Sequence, residues 1–67
     1  MKEVKKVAFV HEIFPSGGAE RVTCDIATAL LERGGYEVYV LTLKFNSEML
    51  PANLASDNRF HVIASEN

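Results

Sequence analysis

Val7-Ala8-Phe9-Val10-His11, Glu12-Ile13-Phe14-Pro15-Ser16, Gly17-Gly18-Ala19-Glu20-Arg21 is the stretch on which the reading of the fold turns. Its opening run is apolar on both parities, with Val7 and Phe9 on one side and Ala8 and Val10 on the other. Such a strand needs cover on both faces, as strands of parallel sheets do. Pro15, Ser16 and two glycines then read as a loop. The glycine pair opens a helix. With Gly17 as N-cap, Glu20 falls at N3, where a carboxylate suits the positive end of the helix dipole. A strand, a short loop and a helix start leave unpaired backbone N–H groups at one end of a sheet, which suits an anion.

Outward from this stretch, the pattern predicts strands over about 4–11, 36–43 and 59–64 and a helix over about 18–33. In the helix, Ala19, Val22, Ile26, Ala29 and Leu30 form the stripe expected to face the sheet. Glu20, Arg21, Asp25, Thr28 and Glu32 are expected to face away. Arg33 suits the negative helix end, and Gly34-Gly35 supplies a left-handed stop. In the second strand Tyr36, Val38, Val40 and Thr42 alternate with Glu37, Tyr39, Leu41 and Leu43. Between the last two strands, Asn46-Ser47-Glu48 reads as the cap of a short helical turn that Pro51 ends. The expected fold is α/β: a partial Rossmann-like βαβ(β) unit with a parallel sheet and a right-handed crossover.

Packing adds a further expectation. Three strands apolar on both faces need two covering layers, and the sequence offers one good helix. Either residues 1–67 are an incomplete N-terminal unit of a larger α/β domain, or the chain forms a homo-oligomer through its uncovered sheet face. The first is the favoured reading.

A chain of 67 residues makes at most one small domain, since at this size only about 60% of the unfolded surface is buried. A net charge of −2, with no cationic cluster beyond Lys2, Lys5 and Lys6, argues against nucleic acid. One cysteine, Cys24, excludes an internal disulfide and fits a reducing, cytoplasmic compartment. No Cys/His spacing suits a metal, no cofactor is expected, and no apolar run is long enough for a leader or a membrane span.

Gly17 and Gly18 are candidate ligand-binding residues, with Ala19 and Glu20 behind them. A plain tight turn and a dipole carboxylate are the competing explanations. His11 and Glu12 sit at the strand's C-terminal end, where open α/β sheets bind ligands, and are candidate cleft-lining residues. Neither the Gly-x-x-x-x-Gly-Lys-Ser/Thr nor the Gly-x-Gly-x-x-Gly motif is present, and Thr42-Leu43-Lys44 lacks the acidic residue that would hold a ribose. Cys24 and His61 read as packing residues. No set of nucleophile, base and orienting group can be assembled, so no catalytic residue is expected.

The runs Lys6-Val7-Ala8-Phe9-Val10, Gly17-Gly18-Ala19-Glu20-Arg21-Val22, Ile26-Ala27 with Ala29-Leu30, and Arg33-Gly34-Gly35-Tyr36-Glu37-Val38 together resemble the start of a GT-B glycosyltransferase. The likeness is to the large retaining family often called family 4, which includes lipopolysaccharide and capsule sugar transferases. It covers residues 6 to about 43 well and 59 to 64 loosely. Gly35-Tyr36 stands where Gly-His is common.

The resemblance implies a two-domain parent, peripheral to a membrane, that transfers a sugar from a nucleotide-sugar to a glycan or lipid-linked acceptor. It places Gly17, Gly18, Ala19 and Glu20 facing the donor diphosphate. The family's Glu-x₇-Glu motif belongs to its other domain, so the same spacing of Glu12 and Glu20 is coincidental. The family's catalytic histidine has no counterpart here, and the chain alone is expected to be inactive. A non-catalytic self-associating βαβ module and a small phosphate-ligand binding module are the alternatives.

Overall fold

Alternating side chains decide which way each strand faces, and the computed structural model, which describes residues 3–15 and 17–65, carries that alternation through three parallel strands. β1 (Lys5–Phe14) leads into α1 (Gly17–Arg33), then β2 (Tyr36–Phe45). A 3₁₀ turn (Ser47–Met49), the single-turn helix α2 (Ala52–Ala55) and β3 (Phe60–Ala64) follow. The sheet order is β1-β2-β3, with both pairs parallel. This is a mixed α/β unit with a βαβ start.

Register sorts the core. Val7 lies opposite Val38 and Phe9 opposite Val40. Val38 in turn lies opposite Phe60, and Val40 opposite Val62. Val38, Val40 and Phe60 are buried beneath the helical layer, joined by Cys24, Ala27 and Leu31 of α1, Leu54 of α2, and Phe14. Gly34 and Gly35, at φ +84° and +83°, stop α1 in the left-handed region as their type predicts. The Gly34 N–H closes on the Leu30 carbonyl at 3.2 Å.

Four expectations need correction. First, the stripe of α1 that meets the sheet is Thr23, Cys24, Ala27 and Leu31, with Leu30 at its margin. Val22, Ile26 and Ala29 are exposed, and Thr28 is half-buried rather than outward. The helix is rotated because Thr23 bonds the His11 ring beneath it and because small Ala27 allows close approach to β2. Second, β1 continues three residues past His11. Pairing passes from His11 opposite Thr42 to Ile13 opposite Lys44 and Phe14 opposite Phe45. Around Glu12 the facing changes, so Phe14 is fully buried while Ile13 is exposed.

Third, β2 likewise runs on to Phe45. Fourth, the connection to β3 holds a helical turn after Pro51 as well as before it, while the Asn46 side chain makes no cap bond. Pro51 here starts a helix turn, consistent with its fixed φ.

The opposite sheet face is bare. Val10 is 77% exposed and Ile63 54%, and Leu41 and Leu43 are exposed beside them. No helix among the described residues is long and apolar enough to cross a membrane.

Candidate functional site

Parallel strands present their carboxyl ends along one edge, and α1 begins at that edge, at Gly17, three residues after β1 ends. The first-turn amides of α1 have no intrahelical acceptor and carry the positive end of the dipole. The side-chain surroundings of Gly17, Gly18, Ala19 and Glu20 lie outside the described residues, as does Ser16 altogether.

His11 and Glu12 stand at the same edge, and their situations differ. The His11 ring points under α1, with Nε2 2.8 Å from Thr23 Oγ1 and the ring packed at 5.3 Å against Phe14. With one ring nitrogen held by a buried hydroxyl, His11 ties β1 to α1. His11 also borders an open hollow of about 290 Å³, with Val10, Leu41, Thr42, Leu43, Ile63 and Ser65. Glu12 projects its carboxylate into solvent, while its backbone carbonyl accepts from Thr42 Oγ1 at 3.1 Å. The same hydroxyl lies 3.0 Å from the Lys44 carbonyl, so Thr42 bridges the ends of β1 and β2.

Thr23 and Thr42 are the residues that sequence reasoning missed. Each is a buried polar side chain, 6% exposed, and each must find a partner because an unbonded buried hydroxyl is costly. Thr42 had a signal: it ends the inward-facing series Tyr36, Val38, Val40. Thr23 had none, because a threonine in a helix is indistinguishable by type from a solvent-facing one.

A second polar cluster lies at the opposite edge. Arg59 Nε and Nη2 grip both carboxylate oxygens of Asp57 at 2.9 and 2.7 Å, and Nη1 donates to the Leu31 carbonyl at 3.1 Å. The Arg59 guanidinium and backbone N–H bonded to Asp57 hold its carboxyl well below the ordinary range, at about 2. The same pairing pushes the Arg59 proton affinity upward. Arg59 therefore caps the last turn of α1 and matches its negative end. This cluster is a clamp, remote from the α1 N-terminus. On the bare face, His61 stacks on Tyr39 at 4.7 Å and lies 3.1 Å from Glu37 Oε2.

Among the described residues no three His, Cys, Asp or Glu side chains converge to hold a metal ion. No protein-family model, curated protein or solved structure matches the chain.

Proposed function

We propose that this unit forms the donor-facing wall of a nucleotide-sugar-dependent glycosyltransferase with two Rossmann-like domains of the GT-B kind. The observation that carries the reading is the position of α1, whose glycine-opened first turn meets the carboxyl edge of a parallel sheet. Open α/β sheets bind ligands at that edge, and helix N-termini accept phosphate there. The amides of Gly17, Gly18, Ala19 and Glu20 would bind the donor diphosphate and stabilise charge on it as it leaves. The likeness of Gly17-Gly18-Ala19-Glu20-Arg21 and its flanks to family 4 supplies the sugar-nucleotide assignment.

The reaction proposed is cytoplasmic, with retention, onto a glycan or lipid-linked acceptor. His11 is hydrogen-bonded to Thr23, and the groups that do the chemistry would belong to the wider protein.

Titration of ¹⁵N-labelled chain with UDP, GDP and inorganic phosphate tests the site. The expected result is saturable movement of the amides of residues 17–20 with either nucleotide, in the millimolar range, and no turnover of nucleotide-sugars. Unmoved amides at these positions overturn the site. Turnover by the chain alone overturns the division of labour.

A further inference from the structure

We draw no further inference here: the strongest candidate, the bare sheet face where Val10, Leu41, Leu43 and Ile63 line an open hollow, is an unpartnered apolar surface, and nothing in the structure shows what covers it.

Discussion

Thr23 and His11 hold the helix to the first strand through one hydrogen bond, and this bond selects which side of α1 is buried. Thr23→Val keeps the shape and removes the hydroxyl, leaving His11 Nε2 without its partner. The expected cost is about 1–2 kcal/mol, read as a lower urea midpoint at unchanged slope. Asp57 has the larger electrostatic signature. Its carboxyl titrates at about 2 in the folded chain against an ordinary 3.8, so the folded state favours the ionised form. The contribution is complete above the ordinary value and is lost as the pH falls from about 4 toward 2. Melting temperatures measured across that window should fall with pH in the native chain and fall less in Asp57→Asn. An equal slope in both would remove Asp57 from the acid response. The pair lies near the surface, so high salt should shrink the effect.

At the scale of elements, α2 illustrates how a segment too short to be stable alone is held by one side chain. Four residues cannot sustain a helix by propensity. Leu54 is 1% exposed and inserts among the buried residues of α1 and the sheet, and Asn53 ties the turn to Thr28. Leu54→Ala should cost roughly 2–5 kcal/mol. A chain this small commands only about 3–10 kcal/mol in all. The expected outcome is a substantially unfolded protein at 37 °C, checked by circular dichroism. A melting temperature within a few degrees of the parent would mean that Leu54 is not a member of the core. Arg59 works at the same scale from the other side, joining the approach to β3 to the last carbonyls of α1.

For the molecule as a whole, the layers are unequal. One face of the sheet carries α1 and α2 while the other exposes Val10, Leu41, Leu43 and Ile63. Parallel strands with both faces apolar are covered on both sides in stable α/β proteins. The open edge of β1 and the bare face are therefore the surfaces that this unit leaves uncovered among the described residues. If a second copy covers them, the melting temperature rises with protein concentration, because association stabilises the folded state by mass action. The diphosphate-facing reading concerns a different edge, at the start of α1.

The sequence by itself determined the α/β alternation, the parallel character of the strands, the glycine stop of α1 and the faces of β1 up to His11 and of β2 up to Leu43. Each follows from local pattern: two-residue alternation, apolar parity, and the tolerance of Gly34 and Gly35 for positive φ. The start of α1 was legible to within a residue, since the expected helix opens at about 18 and the observed one at Gly17. Tertiary structure alone decided the rotation of α1, the burial of Phe14 and the engagement of His11. Hydrophobicity favoured Val22 and Ile26 for the core. The Thr23–His11 bond and the close fit of Ala27 favoured another side, and the contact between elements prevailed over the stripe. Phe14 turns inward where the strand changes its facing, next to the Glu12 carbonyl that Thr42, thirty residues away in the chain, bonds, and it packs there against His11 and Phe60. Long-range partners of this kind leave no periodic trace, so they become visible only when the strands and the helix are brought together.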